Sequence, residues 1–270
     1  DHANYLIMAD NSINELKIPS GPQTGIKLVS GFTINQNQTT ELLLDFDAMR
    51  SVVKAGKSGK YLLKPTIKVL DRGTESTVQG TVASTEGSPI AGAFVSAQAG
   101  DPLSIRAGTI SDDDVSDEKP GYKLFLEPGN YTLVVTADGY EPACKPLTLT
   151  SGDQLLTDFD LTPPAEESET FTLDGTVTVA DSDEGQSVTL SFYQTVNCND
   201  ATSASVVVRE LNFDADDEGV DYQLTLPAGS YNVVATHYVT VDDDEEEEEV
   251  TSTFEFSINL NNNLIENINF

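Results

Sequence analysis

Three kinds of residue in this 270-residue chain could do chemistry: clustered carboxylates, two cysteines and two histidines. The carboxylates dominate. Ser111-Asp112-Asp113-Asp114-Val115-Ser116-Asp117-Glu118 and Asp214-Ala215-Asp216-Asp217-Glu218-Gly219 fall at equivalent places, each just before a strand–turn–strand phrase. Calcium takes several carboxylate and carbonyl oxygens from a turning loop. Asp112, Asp113, Asp114, Asp214, Asp216 and Asp217 are therefore the candidate calcium ligands. Neither loop has EF-hand spacing, and a solvated acidic turn is the competing reading. A further run of eight acids, Asp242 to Glu249, lies between two alternating segments that can pair. It is expected at a hairpin tip held open by self-repulsion, with cation or partner binding as the alternative.

Cys144 and Cys198 are the only cysteines. In an exported chain they can form one disulfide between domains; two separate thiols are the alternative. With only two histidines in the chain they do not make a zinc site. His2 and His237 are far apart in sequence, and no serine or cysteine nucleophile motif accompanies them. Gly-Xaa-Ser-Xaa-Gly and His-Glu-Xaa-Xaa-His are both absent. The chain is read as no enzyme, with no cofactor beyond the candidate calcium. Sugar binding on exposed aromatics is a thin reading in a chain without Trp.

The elements that must position these groups are strands. Tyr122-Lys123-Leu124-Phe125-Leu126 alternates, Pro128-Gly129 turns, and Tyr131, Leu133 and Val135 resume the alternation. The phrase returns as Asp221 to Thr236, turning at Pro227-Ala228-Gly229. Both predict a β-hairpin, because a period of two puts one face on a core and Pro and Gly preset the turn. Upstream, Tyr5-Leu6-Ile7-Met8, residues 26–29, 32–34 and 39–46 and a long run from Tyr61 to Leu70 also read as strands. Residues 35–38 read as a loop, and residues 48–54 as one helical turn or a bulged continuation. The opening Asp1-His2-Ala3-Asn4, set directly before an apolar strand, looks like a mature or trimmed product.

Two resemblances follow. Ile18-Pro19-Ser20-Gly21-Pro22-Gln23-Thr24-Gly25, then Leu44-Asp45-Phe46-Asp47-Ala48-Met49-Arg50, then Gly59-Lys60-Tyr61-Leu62-Leu63-Lys64-Pro65 resemble the C-terminal half of domain of unknown function 4382. That family occurs in exported bacterial proteins, often lipoproteins, and implies no enzymatic activity. Its N-terminal half and export signal are not matched here. An incomplete sandwich exposes strand edges. The missing half is then a separate piece, a segment cut away, or a strand supplied by a neighbour. Gly80-Thr81-Val82, Pro89-Ile90-Ala91-Gly92-Ala93 and Ala137-Asp138-Gly139-Tyr140 are similar to the carboxypeptidase regulatory-like family, a transthyretin-like or Ig-like sandwich. Those modules serve as spacers, adhesion units and enzyme appendages. Gly175-Thr176-Val177 repeats the opening phrase, and Leu264 to Phe270 repeats Leu155 to Leu161.

The expected fold is all-β, three β-sandwich units in tandem with the first incomplete. Residues 1–71 form a partial sandwich, 77–162 a carboxypeptidase regulatory-like sandwich and 170–270 a second repeat. Net charge is −31. Nothing offsets phosphate repulsion, so nucleic acid is a poor partner. No apolar run is long enough for a membrane span. Residues 1–72 hold nine Lys/Arg and seven Asp/Glu, and the rest hold five and 38. A near-neutral head thus precedes an acidic body. Solubility in a salty external medium accounts for that asymmetry, as does docking of the head on another copy. The function expected is a non-catalytic extracellular or bacterial cell-surface subunit in adhesion, matrix or filament. It would self-associate, or bind other surface proteins, by strand complementation, with Tyr5, Leu6, Ile7 and Met8 as the assembly edge. A calcium- or carbohydrate-binding surface module is the alternative.

Overall fold

The computed structural model describes residues 4–8, 11–18, 34, 40–47, 51–55, 60–64, 66–72, 74–116, 119–164, 169–180, 186–199, 202–214, 219–243 and 246–270. The expected strand at 26–29, most of that at 32–34, the loop at 35–38, residues 48–50 and the side chains of His2, Asp216 and Asp217 lie outside the described residues. The described architecture is all-β, as the period-two patterning requires.

The head contributes β1 (Tyr5–Ile7), β2 (Ile13–Lys17), β3 (Leu42–Asp47), β4 (Val52–Ala55), β5 (Lys60–Leu63) and β6 (Thr66–Asp71). The expected single strand from Tyr61 to Leu70 is two strands in different sheets: β5 pairs β4 and β2, whereas β6 pairs β3. Pro65 falls in the gap, and proline has no N–H to donate to a continuous ladder.

Residues 76–161 form β7 (Ser76–Gly80), β8 (Val82–Ser84), β9 (Phe94–Ala99), β10 (Ser104–Ile110), β11 (Tyr122–Leu126), β12 (Gly129–Thr136), β13 (Ala143–Leu149), β14 (Gln154–Leu156) and β15 (Phe159–Leu161). One layer is β10-β9-β12-β13; the other is β11-β7-β14 together with β15-β8. Val78, Val95, Leu124, Leu133, Val135 and Phe159 fill the space between them.

Residues 170–269 repeat that order with β16 (Thr170–Thr178), β17 (Ser187–Asn199), β18 (Thr202–Asp214), β19 (Val220–Pro227), β20 (Gly229–Asp243), β21 (Glu246–Leu260), β22 (Leu264–Ile265) and β23 (Ile268–Asn269). Here β18-β17-β20-β21 faces β19-β16-β22, with β23 also on β16. Leu173, Val188, Leu190, Phe192, Tyr231 and Val233 are among its core residues.

The repeated phrase is not a hairpin. β11 pairs β7 while β12 pairs β9 and β13; β19 pairs β16 while β20 pairs β17 and β21. The turn carries the chain across the core from one layer to the other. Alternation cannot tell these cases apart, because facing layers and paired strands both bury every second residue. A tyrosine fixes each crossing: Tyr131 O–H donates to Glu127 O at 3.0 Å and Tyr231 O–H to Pro227 O at 2.8 Å.

The units are not beads on a string. β4 pairs in parallel with the end of β18, so head and second repeat share one eight-stranded sheet, β1-β2-β5-β4-β18-β17-β20-β21. The outer face of β10-β9-β12-β13 packs on the same face of β18-β17-β20 through Val134, Val196, Val206 and Val207. The central strands of two sheets, β9 and β12 in one and β17, β18 and β20 in the other, are therefore covered on both faces.

Candidate functional site

The repeated Gly-Thr-Val phrase is a backbone device. A β-carbon built on Gly80 would lie 2.1 Å from Thr157 O, and one on Gly175 would lie 1.8 Å from Glu266 O. Only glycine leaves room for that carbonyl. The tyrosine that opens each repeated phrase donates to it as well, Tyr122 to Thr157 O and Tyr222 to Glu266 O. The following threonine N–H donates to a side-chain oxygen, Thr81 to Asp158 Oδ1 at 2.8 Å and Thr176 to Asn267 Oδ1 at 3.0 Å. Val82 and Val177 then enter the two cores. Burial pushes both tyrosine hydroxyls well above the usual phenol range. The motif's groups are thus consumed by the fold.

The acidic loops are partly neutralised from within. Lys119 Nζ lies 2.9 Å from Asp112 Oδ2 and 3.0 Å from Asp114 Oδ2. The Lys119 hydrogen bond, and then the Asp114 N–H, hold the Asp112 carboxyl below its usual range. Asp113 is exposed beside them. Asp214 is ion-paired with Lys64 of the head. Among the described residues, no three His, Cys, Asp or Glu side chains are grouped to hold a metal ion. The eight-acid run does not sit on an open loop: β20 and β21 stay paired through Asp243↔Glu246. Cross-strand pairing extends further into the run than self-repulsion suggested, and only residues 244–245 fall outside the described strands.

His237 is buried, with Nε2 2.9 Å from Gln186 Oε1 and its ring 5.3 Å from that of Phe270. Burial lowers its pKa. No nucleophile is among these partners. A shallow hollow of about 430 Å³ lies where the head meets the second repeat. Its polar lining is already engaged: Lys54 Nζ donates to Asp221 O, Gln223 Nε2 to Asp174 Oδ1, and Thr176 Oγ1 to Asp221 Oδ1.

Cys144 on β13 and Cys198 on β17 form a disulfide, with Cα atoms 4.4 Å apart. It ties the two sandwiches together. Beside it is a contact that sequence reasoning missed. Gln98, fully buried on β9, donates from Nε2 to Val207 O at 2.7 Å and accepts from Val207 N–H at 2.9 Å. A paired strand makes the same two-bond exchange. It occurs beside the register shift between Phe192 and Tyr193 on β17, opposite Val207–Arg209. Tyr193 O–H crosses the same interface to Leu103 O at 2.8 Å, and burial pushes its pKa up to about 12. The available signal was the break in alternation at Leu133-Val134-Val135, Val206-Val207-Val208 and Val233-Val234-Ala235. Such runs mark strands covered on both faces.

What remains unspent is backbone. Among the described strands, β1 ends the eight-stranded sheet. Leu16 N donates to Asn4 O and Met8 N to Ser12 O, both at 2.9 Å. Alternation along the ladder then turns the N–H and C=O of Tyr5 and Ile7 away from β2, toward the rim. Tyr5, Ile7 and Ile13 share one face and are 56%, 65% and 69% exposed. The opposite rim of the same sheet is β21.

Residues 77–162 match the carboxypeptidase regulatory-like domain. Residues 4–65 match a domain of unknown function, DUF4382. These are the two domain types that the sequence motifs indicated. Among curated proteins none matches the chain. Among solved structures, it is similar to a leucine-rich repeat protein from Bacteroides thetaiotaomicron, at 15% identity over 73% of this chain and 26% of that one, TM-score 0.28. It is also similar to the Bacillus anthracis TIE protein, at 15% identity over 86% and 40%, TM-score 0.25. A streptococcal ancillary pilin is similar at 10% identity over 78% and 67%, TM-score 0.24. The chain thus spans about a quarter of the first and two fifths of the second. No functional conclusion follows from superpositions this loose. Among the described residues no helix is long and apolar enough to cross a membrane.

Proposed function

We propose that this chain is a non-catalytic structural subunit of an extracellular or cell-surface assembly, and that it self-associates by β-strand addition at the β1 rim. The observation that carries the reading is that rim, with the N–H and C=O groups of exposed Tyr5 and Ile7 facing outward. An edge without a neighbour among the described residues takes an added strand through main-chain hydrogen bonds. The Cys144–Cys198 disulfide fits an oxidising compartment. The charge of −31 keeps unassembled copies apart at low ionic strength and less so in salt. Gly80, Gly175, Tyr122, Tyr222 and Gln98 are all committed to holding the scaffold.

Sedimentation velocity over a concentration series tests this. The expected result is a mass that rises with concentration and with added salt. Ile7→Pro removes one outward N–H while leaving the β1–β2 ladder its own bonds, and is expected to abolish the rise. A single-chain mass under every condition, for both proteins, would contradict the reading; a preceding segment of the same protein would then be the natural cover for β1.

A further inference from the structure

Strand direction says what the β1 rim can accept. From β1 to β21 the sheet has seven pairings. β2/β5 and β4/β18 are parallel, and the other five are antiparallel. An odd number of reversals means that β1 and β21 run in opposite directions. A second copy that continues the sheet, turned only by the sheet's own twist, therefore meets it antiparallel, rim to rim. Antiparallel pairs outnumber parallel ones and tolerate a solvated face.

Nothing else among the described residues covers either rim. Between them, the edge of β18 is occupied from within the chain, by β4 at Phe213 and Asp214 and by the Gln98 amide at Val207. The rims also differ in charge. β1 itself carries no charged side chain, whereas β21 starts with four glutamates. Two β21 rims therefore repel each other, whereas a β21 rim meets β1 without that cost. On one face the residues match too. Tracing paired positions across the sheet puts Leu6 on the face of Val250 and Phe254, each 52% exposed. Ile7 shares the other face with Thr251 and Thr253.

We propose that the partner of the β1 rim is the β21 rim of the next copy, at about Val250–Phe254. The copies then add head to tail, each related to the last by the same turn and advance, into an open, continuous sheet. This rests on the self-association reading above and makes it specific. The contact is heterologous, so it does not close on itself. Eight strands at about 4.8 Å give an advance of roughly 38 Å per copy. Twist of roughly 20° per strand turns each copy by nearly half a revolution.

Cysteine pairing tests it on the full chain with its native disulfide in place. Ile7→Cys protein is mixed with Thr251→Cys or Thr253→Cys protein under mild oxidation and the products are weighed. Disulfides need Cα atoms within about 7 Å, so only paired strands yield them. The expected product is the mixed dimer, in excess over both homotypic ones. Dominance of the Ile7–Ile7 product, or assembly with no mixed product, would overturn head-to-tail addition and leave self-association standing. A protein that stays a single chain by sedimentation and gives no product would remove both.

Discussion

At the scale of single residues, the chain's conspicuous side chains serve the backbone. Gly80 and Gly175 each admit a carbonyl where a β-carbon would sit. Gly80→Ala or Gly175→Ala is expected to cost about 2–3 kcal/mol in denaturant unfolding, since the intruding neighbour is main chain and cannot rotate away. Gln98→Ala leaves a buried N–H and C=O of Val207 without partners. The expected loss is about 2–4 kcal/mol, with Gln98→Leu no better, because apolar volume does not replace the hydrogen bonds. His237 adds a pH dependence with a definite sign. Its pKa is lowered in the folded state, so above the ordinary histidine range neither state binds the proton. As pH falls below about 6.5 the unfolded chain binds it first and stability drops. Urea midpoints of the wild type are expected to fall over that interval more than those of His237→Gln. Parallel curves for the two would assign the loss to other groups.

At the scale of elements, strands were legible and their partners were not. Alternation at Tyr122–Leu126 and Asp221–Leu226 gave the correct local structure. It could not say whether the next strand lay beside or across, and the repeated turn crosses the core. Pro65 stood in plain view inside a run read as one strand, and β5 and β6 separate there. The Gly-Thr-Val phrases were visible in the sequence, whereas the carbonyl each glycine admits comes from some 77 to 91 residues away and leaves no local trace. The Asp112–Asp114 cluster was visible as acid. Its ammonium partner was not, because Lys119 reaches it only across the turn. Cysteine positions allowed a bridge between repeats, yet whether β13 meets β17 depends on both sheets having two apolar faces. Removing the bridge by Cys198→Ser opens a closed stretch of 54 residues. Chain entropy puts the expected loss at about 4 kcal/mol. Each sandwich has its own core and is expected to keep its strand signature by circular dichroism, with faster proteolysis in the 162–170 connection.

At the scale of the whole molecule, the head is joined to the rest of the chain through a shared sheet. The head contributes few buried apolar side chains among the described residues, namely Val53, Leu62, Val69 and Leu70. It borrows an edge from the second repeat through two residue pairs and the Lys64–Asp214 ion pair. Both partners are half-buried, so Lys64→Ala is expected to loosen the head, seen as faster hydrogen exchange in β4 and β5 with the two sandwiches unchanged. Joining the head in this way satisfies one of its rims and leaves β1 without an outer neighbour among the described residues, which links the fold to the proposed assembly. The most direct measurement is electron microscopy of the concentrated native protein beside Ile7→Pro. The account predicts filaments from the first and only single-chain particles from the second. Single-chain particles from both, at concentrations where the disulfide is intact, would contradict it.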